Sequence, residues 1–414
     1  MKHTLTVIFN ARILTPDGWI ENGSLLINDG KIAQIADSEI HAEDEGKEIR
    51  RVDAGGGLLL PGFIDIHVHG GGGYDAMLGS AEHIQGMCRF HASNGTTSLL
   101  ATTLTATHEE IITALECAGQ LIKTGHEPDG ANLLGVHLEG PFLNAARCGA
   151  QNPADLRDPS IEEFDAFWEA SQGTIKLMTI APELSHAEEV IRYAVSKGVV
   201  ISLGHTDADF ATMRRATEWG ATQVTHLFNG MRSLHHREPG AAGGALMLDQ
   251  LAVELICDGI HVHPGLIKWA FDIKPEGKVL LITDSMCAAG CPDGEYLLGK
   301  LPVIMKQGKV YLKQEDGTEG GLAGSSLTMI EALANAVKFT GMDIAELVPA
   351  LTIHPAEQIG VSHSKGTIEP GKDADLIIVN EQFQVCQTFV LGNRVYASEG
   401  LCLDDLDRER RDLT

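Results

Sequence analysis

Six side chains suited to binding metal or moving protons close five short apolar runs in this chain. His67 and His69 stand at the end of GFIDIHVHG, Glu139 of NLLGVHLEG, His205 of VVISLGHT, His226 of TQVTHLFNG and Asp284 of KVLLITDS. In His67-Val68-His69 the histidines alternate, so on an extended strand both imidazoles point to one side, a spacing suited to a single ion. Each group taken alone has an ordinary alternative: a polar residue at a strand exit bonded to backbone or, for Asp284, the N-cap of a following helix. Independent accidents would not fall at the end of run after run, and the joint pattern points to a divalent-metal site. A carboxylate such as Asp284 beside metal-activated water can take its proton and later pass it to a leaving group, which is the general base and acid of a hydrolysis.

Groups so far apart in sequence converge only if their runs are neighbouring strands aimed the same way. Three further runs, TSLLATTLT, IKLMTIAPE and AVELICDGIH, bring the count to eight, and segments of helical period such as EEIITALECAGQLIKTG, AEEVIRYAVSKG and FATMRRATEWG follow or separate them. Eight β-α units of this length predict a (β/α)8 TIM barrel, whose C-terminal rim is where loops build an active site and where these polar residues would meet. Insertions stand out at 141–160, after the third run, and at 229–250, after the sixth. Outside the barrel, TLTVIFNARIL, GSLLIN and KIAQIA read as strands, the last two joined across Asp29-Gly30, and DLIIVN, QVCQTFVLGN and RVYAS repeat the pattern near the other end. Neither end has enough strands to stand alone, so one small β-sandwich domain assembled from both is expected. The expected boundaries are 1–57 and 361–414 for the small domain and 58–360 for the barrel. The final LDDLDRERRDLT reads as a solvated helix or disordered tail.

The composition limits the partners. Of 414 residues 43% are hydrophobic, with 46 glycines against 15 prolines, which excludes disorder, collagen and coiled coil and leaves room for a large core. The formal charge of −26 repels phosphate backbones and anionic lipid, so neither nucleic acid nor membrane is expected as a partner, and an anionic small substrate would need a local cationic pocket. No run is long enough for a membrane span or signal peptide, and a cytoplasmic location is expected. The eight cysteines are scattered without a CxxC, against both a disulfide framework and a zinc ribbon; Cys287 and Cys291, the closest pair, read as loop packing.

PGFIDIHVHG, HLEGPF, LGHT, THLFNGM, HHREPG, CDGIHVHP, LITDSM and GGLAGS, in this order, and then GKDADLIIVN, resemble the N-acetylglucosamine-6-phosphate deacetylases of the metal-dependent amidohydrolase type. The resemblance covers essentially the whole chain, and THLFNGM with HHREPG is its most specific part. It implies that Glu139, His205 and His226 hold a principal metal, that His67 and His69 complete a second position, and that Asp284 adjoins the metal as catalytic acid and base. Some relatives lack the HxH pair and use one metal, so one or two ions per chain are implied, zinc foremost, with iron, manganese, cobalt or nickel also suited to these ligands. No lysine stands at the ligand-bearing strand ends, which leaves Glu139 to bridge. Asn229 and Gly230 are assigned to substrate contact, with Arg237 and His261 near the phosphate; a guanidinium that forks onto phosphate oxygens makes physical sense in so acidic a protein. Arg232 is a second, less favoured candidate. Members of the family are commonly homodimers in which the phosphate-site arginine reaches across the interface.

One position departs from the family's pattern. The histidine of its G-[AT]-H-x-P segment is replaced in GAQNP by Gln151, which can donate a hydrogen bond to a carbonyl oxygen but carries no charge. The expected reaction is removal of the acetyl group from N-acetyl-D-glucosamine 6-phosphate to give D-glucosamine 6-phosphate and acetate, with Gln151 helping to stabilise the oxyanion. The galactosamine epimer as substrate is the nearest alternative, and a non-catalytic sugar-phosphate-binding barrel a remote one.

Overall fold

A computed structural model describes residues 4–41, 48–125 and 129–399. Eight parallel strands follow one another in chain order around a barrel: β1 (Phe63–Val68), β2 (Thr96–Thr102), β3 (Asn132–Glu139), β4 (Ile175–Ile180), β5 (Val200–Leu203), β6 (Ala221–Val224), β7 (Ala252–Ile256) and β8 (Val279–Ile282). All eight predicted runs are strands of this barrel. Their residues are almost all buried because helices cover the outer face, which is why they read as continuous apolar runs instead of alternating ones. The last strand meets the first at the rim, where the Asp284 backbone N–H donates to the His67 carbonyl at 2.9 Å and the Thr283 hydroxyl donates to Asp65 at 2.6 Å.

The helices between strands start where the sequence offers caps. Ser80, Ser160 and Asp209 each accept a backbone N–H from the first turn of Ala81–Ser93, Ile161–Ala170 and Phe210–Trp219, and Thr107 forms a reciprocal capping box with Glu110 ahead of His108–Thr124. The three quoted helical-period segments fall on His108–Thr124, Ala187–Ser196 and Phe210–Trp219.

An element absent from the sequence reading lies between β8 and its helix Met329–Thr340. Gly294–Leu298, Leu301–Lys306, Lys309–Lys313 and Glu319–Leu322 form a four-stranded antiparallel sheet. Its inner face, including Leu298, Val303, Met305 and Val310, packs on Met286, Cys287 and Leu104 at the rim of the barrel.

Strands from both chain ends share one eight-stranded sheet that encloses its own apolar core of Ile8, Ile13, Leu25, Ile378 and Phe389 among others. Leu376–Val379 runs antiparallel to Leu58–Pro61 and ties the two ends together. Leu58–Pro61 therefore belongs to this sheet, and the barrel begins at Phe63. Asp29 and Gly30 make the expected hairpin turn, both with positive φ (50° and 77°). The predicted tail lies outside the described residues. Among the described residues Cys88, Cys117, Cys148, Cys257, Cys287 and Cys291 are free thiols, and no helix is long and apolar enough to cross a membrane.

Candidate active site

Three of the six rim groups sit on backbone that L-residues rarely adopt: φ is 45° at His205, 30° at His226 and 50° at Asp284. In each case the chain has just left its strand, and the left-handed turn belongs to the loop that carries the side chain at the barrel mouth; such strain clusters where surrounding structure enforces it, commonly at functional sites.

Two ligand triads result, sharing one carboxylate. In the first, Glu139 Oε1 lies 3.2 Å from His205 Nε2 and 3.3 Å from His226 Nε2, and the two nitrogens are 3.1 Å apart. A tetrahedral ion with bonds of about 2.0 Å needs ligand atoms roughly 3.3 Å apart, which is the edge length of this triangle. In the second, His69 Nε2 lies 3.3 Å from Glu139 Oε2, His67 Nε2 lies 3.5 Å from Glu139 Oε1, and Asp284 Oδ1 is 3.2 Å from His69 and 3.5 Å from His67. His67 Nε2 and Glu139 Oε1 are buried without any hydrogen-bond partner, which is costly unless a cation meets them.

The charges point the same way. Burial opposes ionisation of Asp284, but His67, His69 and His226 outweigh it and hold the carboxyl at about 2. Burial likewise opposes the charge on His69, yet Asp284 and Glu139 push its imidazole up to about 9. The carboxylates thus demand positive charge at their centre, a demand that a divalent ion on neutral imidazoles meets.

Supporting residues absent from the sequence reading hold these ligands. Glu254, wholly buried on β7, accepts from His67 Nδ1 at 2.9 Å, from the His226 backbone N–H at 3.1 Å and from Gln223 Nε2 at 2.6 Å. His205 Nδ1 donates to the Arg147 carbonyl at 3.0 Å, leaving Nε2 for the triad. Asp258 grips His261 Nδ1 at 2.6 Å; burial pulls that imidazole's pKa down, but the Asp258 carboxylate outweighs it and raises the net value. The signal for Glu254 was in the sequence, a lone carboxylate inside the apolar run AVELI.

A cavity of about 240 Å³ opens above the triads. His69, Glu139, His205, His226 and Asp284 line it, as do the predicted substrate residues Gln151, Asn229, Gly230 and His261; His67 lies fully buried outside that lining. Gly230 has a φ of 56°, and a Cβ there would come within 2.9 Å of His205 Nδ1, so glycine is required beside the ligand. Gln151 and Arg237 are held differently from these residues. Gln151 faces the cavity, but its Nε2 donates to Glu139 Oε2 at 2.8 Å and its Oε1 accepts from the Thr105 N–H at 2.7 Å, so the amide is engaged in holding the shared carboxylate. Arg237 lies outside the cavity lining of its own chain on an exposed loop, its guanidinium against His236 at 2.8 Å. Arg232, the second candidate, is paired with Asp207 at 2.6 Å, and Asp207 also receives Arg147 at 2.8 Å.

Residues 58–395 match the model of the Amidohydrolase family. The chain is 40% identical to an N-acetylglucosamine-6-phosphate deacetylase of Bacillus subtilis, over 95% of this chain and 98% of that one. It is 36% identical to an N-acetylgalactosamine-6-phosphate deacetylase of Escherichia coli O157:H7, over 95% and 99%. Its fold superposes, with a TM-score of 0.85 and 30% identity over 96% of this chain and all of the other, on a mutant N-acetyl-D-glucosamine-6-phosphate deacetylase from Mycobacterium smegmatis in complex with N-acetyl-D-glucosamine 6-phosphate. The barrel, the shared-carboxylate triads at its rim and these likenesses over nearly the whole length lead to one assignment: the chain belongs to the amidohydrolase family, among its N-acetylglucosamine-6-phosphate deacetylases.

Proposed function

We propose that this protein hydrolyses N-acetyl-D-glucosamine 6-phosphate to D-glucosamine 6-phosphate and acetate at the cavity above Glu139. The observation that carries the reading is the pair of buried triads meeting on Glu139 with Asp284 at their edge, in a chain so similar to deacetylases of that substrate. Glu139, His205 and His226 would hold a principal ion and His67 and His69, with Asp284 adjoining, a second; zinc suits this donor set. A divalent ion bound there supplies Lewis acidity to the acyl oxygen and acidity to water. Asp284, ionised at neutral pH, accepts the proton of the attacking water and delivers it to the nitrogen as the C–N bond breaks. Gln151 keeps Glu139 in place, and the microenvironment of His261, with its raised pKa, suits an anionic phosphate beside Asn229 and Gly230.

Arg237 lies away from its own cavity, which supports a homodimer in which it serves the cavity of a second copy. The exposed Leu266, Trp269 and Ile273 on one helix supply an apolar face for such an assembly, and light scattering on the purified chain tests it. A cytoplasmic location agrees with the free thiols of Cys88, Cys117, Cys148, Cys257, Cys287 and Cys291. The galactosamine epimer remains the second reading, favoured by the Escherichia coli relative. Acetate release from a panel of N-acetylhexosamine 6-phosphates, with and without chelator, tests the function. Turnover of the glucosamine compound that is lost with chelator and restored by metal is the expected result; release from no member of the panel overturns it.

A further inference from the structure

A second cavity, of about 200 Å³, lies directly behind one wall of the active-site cavity, and the two share Leu104, Ala150 and Leu298. Met77, Leu78 and Leu301 give it an apolar lining, and a Lys300–Glu110 ion pair of 2.6 Å stands at its edge. Leu104 and Leu298 are buried and belong to the cluster that fixes the four-stranded insertion to the barrel. The partition is thus made of well-packed side chains.

The active-site cavity is lined by both polar and apolar residues. Asn229, Gly230 and His261 are on its lining, and so are Leu104, Ala150, Leu298 and Leu322. In the reaction proposed above, on which this inference rests, the acyl carbon carries three groups: an oxygen that must face the metal-binding residues, a nitrogen bearing the sugar, and the methyl. In that reaction the sugar phosphate would be met by Asn229 and His261. The methyl, across the scissile bond from the sugar, would then be left to Leu104, Ala150 and Leu298.

We infer that Leu104, Ala150 and Leu298 form the gate that limits the acyl group to acetyl, and that the cavity behind them is a latent subsite for unbranched aliphatic N-acyl groups such as butyryl. The chemistry is unchanged: water's oxygen bonds to the acyl carbon, the C–N bond breaks, a proton goes to nitrogen, and butyrate leaves in place of acetate. What changes is where the chain beyond the second carbon goes. In the native protein it meets Leu104 and Leu298; with either shortened, it enters a space already lined by Met77, Leu78 and Leu301.

The test compares kcat/KM for the N-acetyl and N-butyryl derivatives of glucosamine 6-phosphate in the native protein, Leu298→Ala, Leu104→Ala and the milder Leu298→Val. Each methylene moved from water into apolar surroundings is worth roughly a fourfold gain, so two should raise the butyryl-to-acetyl ratio about tenfold or more in the alanine variants and less in Leu298→Val. Ala106→Phe added to Leu298→Ala fills the rear cavity from a position outside the active-site lining and should take the gain away. A ratio within twofold of native in the variants that keep their metal content and melting temperature overturns the inference, as does native turnover of the butyryl compound equal to that of acetyl. Failure of the native protein to release acetate would instead remove the deacetylase reading on which the gate depends.

Discussion

Glu254 Oε2 lies 2.9 Å from His67 Nδ1, with neither side chain exposed to solvent. The same oxygen accepts the His226 backbone N–H, so one carboxylate on β7 steadies a ligand of each triad. With Nδ1–H committed to Glu254, the lone pair of His67 is left on Nε2, facing Glu139 and Asp284. Glu254→Gln keeps the size but removes the charge that favours this tautomer. Metal affinity, measured by competition with a chromogenic chelator, should fall about 10–100-fold. Native affinity in a folded variant would mean that Glu254 serves only the packing of β7.

The two triads separate by mutation. His226→Ala removes a corner of the 3.1–3.3 Å triangle and should lose the principal ion together with activity. His67→Ala, from the other triad, should lower activity while elemental analysis still finds close to one equivalent. Less than half an equivalent in metal-replete native protein would sink the assignment of both.

Asp284→Asn preserves shape and abolishes proton transfer. Because the carboxylate's proposed work is done on the way to the transition state, kcat should fall at least 100-fold while KM stays within a few-fold. A kcat within about tenfold of native would exclude Asp284 as general base.

Acid sensitivity should arise in part beneath the glycine turn that follows His69. His91 is fully buried, its Nε2 within 3.0 Å of the Gly70 carbonyl, and burial pulls its pKa down to about 4. A histidine depressed in the folded state contributes its stability above its unfolded value of about 6.5 and loses it as pH falls toward 4, a window worth roughly 3 kcal/mol at most. His91→Gln can still donate but does not titrate. The difference in melting temperature between native and variant should therefore shrink, or reverse, between pH 6.5 and 4; a difference independent of pH would contradict the assignment.

The barrel was legible because each of its strands is a short apolar run buried on both faces, and six polar groups at run ends cannot hide in such a pattern. The four-stranded insertion is harder to read, although GEYLL, LPVIMK and KVYLK carry turn signals at Gly299-Lys300 and Gln307-Gly308, because its half-exposed strands alternate weakly and follow the last obvious barrel run. Leu298 and Leu322, two apolar residues of the cavity lining, lie in that segment. Glu254 was hidden differently: nothing in AVELI says which way its carboxylate points, and only closure of the barrel brings it under His67. Arg237 lies outside the cavity lining of its own chain, a placement that the sequence of its loop does not reveal.

Gln151 lines the cavity and also holds the shared carboxylate. An amide aimed at the acyl carbonyl would assist only catalysis, whereas the observed amide bonds Glu139 Oε2 at 2.8 Å and is itself fixed by the Thr105 N–H at 2.7 Å. Removing it should let the shared carboxylate rotate, and a hydrogen bond to a charged group is worth about 1.5–3 kcal/mol. Gln151→Ala should accordingly weaken metal affinity by about tenfold or more, with kcat/KM recovering when excess metal is added. Gln151→His restores a donor that can reach a carboxylate and should recover part of the affinity. If metal affinity stays native in Gln151→Ala while kcat/KM falls and excess metal does not rescue it, the amide acts on the substrate carbonyl after all, and its bond to Glu139 is incidental.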